Sequence, residues 1–146
     1  GDDAAFVAGW ALYAQSLGTE LGLYADPYSQ FGALNVELWR AAALVVDTGL
    51  HAQGWSRQRA VDYLRENTAL GEADIAAEVD RYVACPGQAL ADKIGQLKIL
   101  ELRRRAEQRL GERFDLREFH EQVIGSGILP LSVLEARINR WIDARR

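Results

Sequence analysis

Apolar residues recur at intervals of three and four along almost the whole chain, a period that helices bury and strands do not. Phe6, Trp10, Tyr13, Leu17 and Leu21 make the first such stripe, with Asp2 or Asp3 placed to cap a helix that runs to about Tyr24. Asp26-Pro27 supplies an N-cap and a first-turn proline for the next helix, which is apolar on nearly every face through Ala41, Ala42, Ala43, Leu44, Val45 and Val46 and so belongs in the middle of a bundle. Gly54 ends it. Ser56 caps a shorter helix to about Asn67, and Gly71-Glu72 opens another through Val83, both read as amphipathic covers. Cys85-Pro86-Gly87 then breaks the chain before a long helix in which Ile94, Leu97, Ile99, Leu100 and Leu102 point around the axis, predicting a buried first half and an exposed arginine-rich end. Asp115 caps a helix carrying Leu116, Phe119 and Val123, and Pro130 or Ser132 starts a last one with Leu134, Ile138 and Trp141. The expectation is all-α: a compact array of six to seven helices around two buried central helices, one domain over residues 1–146 with one sizeable core.

Charge narrows the partners. Lysine and arginine number 17 against 21 acids, a formal charge of -4, so no strong field favours nucleic acid or an anionic membrane. Arg103-Arg104-Arg105 and Arg109 are interleaved with Glu101 and Glu107 and read as a solvated helix face. No segment has the length of a transmembrane helix, and the single cysteine, Cys85, cannot form an intramolecular disulfide, which points to a cytoplasmic setting. A start at Gly1 and the lack of any methionine suggest a processing boundary or a fragment. No phosphate loop, Cys-x-x-Cys pair or dinucleotide fingerprint occurs, so no cofactor is expected.

Several ordered segments together carry a family resemblance. Gly9-Trp10-Ala11-Leu12-Tyr13-Ala14, Glu37-Leu38-Trp39-Arg40-Ala41-Ala42, Val45-Val46-Asp47-Thr48-Gly49-Leu50-His51-Ala52 and Pro86-Gly87-Gln88-Ala89-Leu90 resemble the bacterial family known as domain of unknown function 885, as do Phe114-Asp115-Leu116-Arg117 and Gly127-Ile128-Leu129-Pro130-Leu131. The resemblance implies the C-terminal part of a longer, zinc-metallopeptidase-like fold, with a His-Glu helix motif upstream and a glutamate before Gly-Trp-Ala-Leu-Tyr as third ligand. That glutamate position is Ala8 here, and the upstream histidine pair has no match in the chain. The same resemblance implies arginines where Ala33 and Ala43 stand and a tyrosine where Asp92 stands. With no set of three ligands, metal: none is the reading, and His51, His120 and Asp47 would hold zinc only adventitiously.

The candidate site follows from these positions. Ala4, Ala8, Ala11 and Gln15 give the first helix a small-residue side, suited either to a cavity wall or to close helix packing. Asp92, if forced into apolar surroundings, would have a raised pKa and act as a general base. Asp47 and His51, four residues apart, would pair on one helical face, with Ala43 one turn earlier. Glu20 looks structural, with Arg40 a natural partner, while Cys85 and Lys93 read as an inert thiol and a surface amine. The function expected is therefore metal-independent binding of a small apolar organic ligand in a pocket lined by Ala8, Trp10, Leu12, Trp39 and Ala43, with proton transfer by Asp92 assisted by His51 and Asp47. The other readings are an inert fragment or scaffold that lacks its catalytic N-terminal part, and a residual zinc hydrolase without its ligands; a homodimer through the surface of the missing domain is the protein partner expected.

Overall fold

The structure, a computed structural model, describes residues 2–145, and within it every regular element is helical. The seven α-helices are α1 (Asp2–Glu20), α2 (Pro27–Ala52), α3 (Arg57–Asn67), α4 (Glu72–Ala84), α5 (Ala91–Leu110), α6 (Leu116–Ile124) and α7 (Leu131–Ala144). Short 3-10 turns at Gln88–Leu90 and Gly111–Arg113 flank α5. The caps explain where the helices begin. Asp26 accepts from the backbone N–H of Tyr28 and Ser29 (both 3.0 Å), Ser56 from Arg59 (3.2 Å), and Asp115 from Arg117 and Glu118 (2.8 and 3.0 Å). The cap expected at Asp2 or Asp3 lies outside the described side chains.

Two apolar clusters form in place of the single expected core. One joins α1, α5, α6 and α7 through Phe6, Tyr13, Ile99, Leu102, Phe119 and Ile138; the other joins the second half of α2 to α3 and α4 through Val46, Leu64, Ile75, Val79 and Tyr82. Polar contacts bridge them. Gln96, almost fully buried on α5, donates to the Glu37 carboxylate of α2 at 2.7 Å, and Lys93 pairs with the same carboxylate while donating to Gln96 Oε1 at 2.8 Å. A carboxylate this well supplied with donors can sit between two apolar clusters without an unmet desolvation cost.

Two helix expectations are corrected. α5 is not buried along its first half: Ile94 and Leu97 are exposed, while Gly95, Ile99, Leu102, Ala106 and Leu110 carry one buried stripe along the helix. The apolar residues that seemed to surround its axis belong to two faces, of which one is bare. α2 likewise has no buried residue from Pro27 to Ala41, and only its second half enters a core.

α1 and α5 are pressed together at Gly9 and Gly95. A Cβ on Gly9 would stand 2.3 Å from Gly95 Cα, and one on Gly95 would stand 1.8 Å from the carbonyl oxygen of Ala5. Neither position can hold a larger side chain unless the helices separate, because the obstacles are backbone atoms. Gly95→Ala is expected to cost about 3 kcal/mol in denaturant unfolding. Gly32→Ala, at a helical glycine facing open space, is expected to add roughly 0.5–1 kcal/mol. Equal effects at the two positions would remove the close-approach account.

Candidate functional site

The tight α1–α5 contact leaves a groove along its edge. α1 contributes Ala4 and Ala8, α2 Trp39 and Arg40, α4 Glu78 and Arg81, and the start of α5 Ala91 and Asp92, around an open volume of ≈ 390 Å³. A second recess of ≈ 280 Å³, lined by Ala8, Ala11, Leu12, Gln15, Arg40 and Asp92, opens beside it. Three helices therefore converge over the small side of α1, where the alanine methyls leave the space.

Charge dominates this groove. Asp92 is not set in apolar surroundings as expected: its carboxylate is 2.9 Å from the Arg40 guanidinium, with the side chain 24% exposed. The pair forms because Asp92 lies in the first turn of α5, where the helix dipole also favours an anion. Arg40 in turn stacks over the Trp39 ring at 4.1 Å. Trp39 Nε1 donates to the Tyr82 hydroxyl at 3.0 Å, and burial pushes that phenol up to about 12. Arg81 donates to Glu78 at 2.7 Å. Burial raises the Glu78 carboxyl, but its hydrogen bonds with Arg81 and Tyr82 and the arginine charges outweigh that and leave it below its ordinary value. The groove thus holds two cations and two anions fixed by one another and by two aromatic rings.

The other expected site residues lie elsewhere. Asp47 and His51 do not pair. Both Asp47 oxygens accept from the Gly87 backbone N–H at 3.1 Å, and His51 Nε2 donates to the Tyr82 carbonyl at 2.9 Å. Each side chain holds a neighbouring backbone segment, which the sequence spacing within α2 could not reveal. Asp47 secures the turn in which Gly87 takes a positive φ of 80°. Ala43 is packed in the α2–α3–α4 core, and Trp10 lies against Tyr13 and His120, so neither lines the groove. Ala8 and Trp39 do line it and Leu12 lines the adjoining recess, while Arg40, Glu78 and Arg81 join them without having been expected as site residues. Arg40 carried a usable signal, since it lies within a segment of the family resemblance. Glu20, expected to meet Arg40, instead pairs with Arg103 at 2.8 Å.

Comparison with known proteins fits this geometry into a family. The description "Bacterial protein of unknown function (DUF885)" matches residues 2–138. The chain belongs to that family. A crystal structure titled "putative lipoprotein from Colwellia psychrerythraea" superposes with a TM-score of 0.94 at 49% identity, over 97% of this chain and 24% of that one. This DUF885 member thus spans about a quarter of the length of the structure it matches. No curated protein matches the chain. The cytoplasmic setting expected from a lone cysteine is corrected: the description of the Colwellia protein as a lipoprotein points away from the cytoplasm, and an unpaired thiol says only that no internal disulfide forms.

The zinc implied by the resemblance does not fit the residues present. Ala8 offers no donor, two guanidinium groups face the groove, and among the described residues no group of three His, Cys, Asp or Glu side chains is placed to hold a metal ion.

A separate polar cluster in this DUF885 member tunes stability and not the groove. The Tyr13 hydroxyl and His120 Nε2 are 2.8 Å apart, with Arg103 3.4 Å from the same hydroxyl and bonded to Glu20 and Glu107. Burial, and then the Arg103 charge, hold the imidazole below its ordinary value of 6.5, against an opposing pull from Glu20. The unfolded chain therefore binds a proton more readily than the folded one between those two values, so stability falls as pH drops through 6.5 toward the lowered value. Glu20 and Glu78, held below 4.5, lose their contributions only in more acidic solution. Chemical denaturation from pH 7.5 to 5 is expected to show this loss in the natural chain and a flatter profile in His120→Gln. An unchanged slope in the variant would exclude His120 as its source.

Proposed function

We propose that this chain is a ligand-binding helical lobe of a longer, metallopeptidase-like fold, with the groove over Ala8 receiving a zwitterionic, peptide-like ligand and no metal held by this lobe. The observation that carries the reading is the convergence of Trp39, Arg40, Glu78, Arg81 and Asp92 on the residue that stands where the family resemblance implies a metal-binding acid. Opposed charges at fixed places match a ligand with a carboxylate at one end and an ammonium at the other, and the Trp39 ring gives its apolar middle a surface. Membership of a family whose matched structure is four times longer supports the lobe reading.

Within this proposal Asp92 orients Arg40 and is not a general base. The Arg40 guanidinium stands 2.9 Å from Asp92 Oδ2, so the carboxylate holds that cation at the groove. Arg40 then meets the ligand carboxylate, while Glu78 and Arg81 bound the far side.

Titration with alanyl-alanine, followed by backbone amide NMR, tests the reading. Shifts are expected at Ala8, Trp39 and Asp92, with affinity falling about tenfold in Arg40→Ala, the cost of one charge-assisted hydrogen bond. Asp92→Asn should weaken binding less and leave the fold intact. Shifts confined to other surfaces, or an Arg40→Ala variant that binds as tightly, would overturn the assignment.

A further inference from the structure

α2 presents a second apolar face that none of the described residues covers. Phe31, Leu34, Leu38, Ala41 and Val45 follow one another at steps of three, four, three and four, the spacing of a seam at which one helix packs along another. Their large members are 61%, 69%, 49% and 40% exposed at Phe31, Leu34, Leu38 and Val45. No charged residue interrupts the row; Glu37 and Arg40 lie off it, engaged with Lys93 and Asp92. The core side of the same helix, marked by Val46 and Ala43, is a different face. Such a row in water is a recognition surface more often than an accident.

We infer that this seam is the docking strip for an amphipathic helix, the kind that the longer fold supplies from chain outside the quarter this sequence matches. The inference rests on the lobe reading above, though not on the groove's ligand. Magnitude decides between this occupant and a second copy of the chain. The ~800 Å² per partner that a stable dimer needs would take in far more surface than these four side chains. A strip of that size and period suits one helix laid along α2. The Colwellia psychrerythraea structure contains the same fold as 24% of its length, so the greater part of that protein is available to provide it.

Two measurements test this. In the Colwellia crystal structure, the positions matched to Phe31, Leu34, Leu38 and Val45 are expected to lie against a helix from outside the matched quarter. A synthetic peptide of that helix, titrated against the full 146-residue chain by fluorescence anisotropy, should bind, and Leu38→Glu should weaken it at least tenfold. Leu38→Gln serves as a milder second variant, with circular dichroism melts confirming that both keep the fold. Seam positions that face solvent in the longer protein would overturn the inference, as would a peptide that fails to bind or binds equally to both variants. A concentration-dependent homodimer in sedimentation, abolished by Leu38→Glu, would instead make a second copy the occupant and overturn it too. Because alanyl-alanine binding is read at Arg40 and peptide docking at Leu38, the groove and the seam can fail independently.

Discussion

Gly9 and Gly95 let α1 and α5 meet backbone to backbone, and the placement of the groove depends on that contact. Helices that approach this closely cannot carry side chains at the crossing, so the residues beside it must be small on one helix or directed outward on the other. Ala8 is the small neighbour and Asp92, one turn before Gly95, is the outward one. The recess over Ala8 thus lies at the rim of a packing contact.

The polar bridge between α2 and α5 is the second constraint. Gln96 and Lys93 hold Glu37, and Arg40, one turn along α2, reaches Asp92, one turn back along α5. Five polar side chains therefore do the joining where an apolar interface would leave α2 free to slide. Specific donors and acceptors fix a register that apolar packing alone would not. That register keeps Arg40 over Trp39 and in reach of the groove, so the electrostatics of the site and the docking of the two apolar clusters share residues.

Much of the fold was legible because helix caps are local. Asp26, Ser56 and Asp115 bond to backbone groups two or three residues away, and a local rule reads them from sequence. The α3 boundary at Asn67 and the break before α5 were visible for the same reason. Burial was less legible. A helix apolar on nearly every face, such as α2, reads as central when each apolar face is assumed to find a partner within the chain, whereas one of its faces has none among the described residues. The site was legible only in part, since Ala8, Leu12, Trp39 and Asp92 do gather at the groove. Asp47 and His51 share a helical face, yet their partners, the Gly87 N–H and the Tyr82 carbonyl, come from segments more than thirty residues away.

Asp92 shows why burial alone is a poor guide to chemistry. An aspartate expected in apolar surroundings can still be met by a cation from another helix. Arg40 arrives, because the Glu37 anchor one turn earlier fixes where α2 crosses α5. The same crossing makes Arg40 a held guanidinium, oriented by Asp92 and backed by an indole. With no donor at Ala8, the held Arg40 guanidinium beside Trp39 is a polar group that the rim of the groove presents.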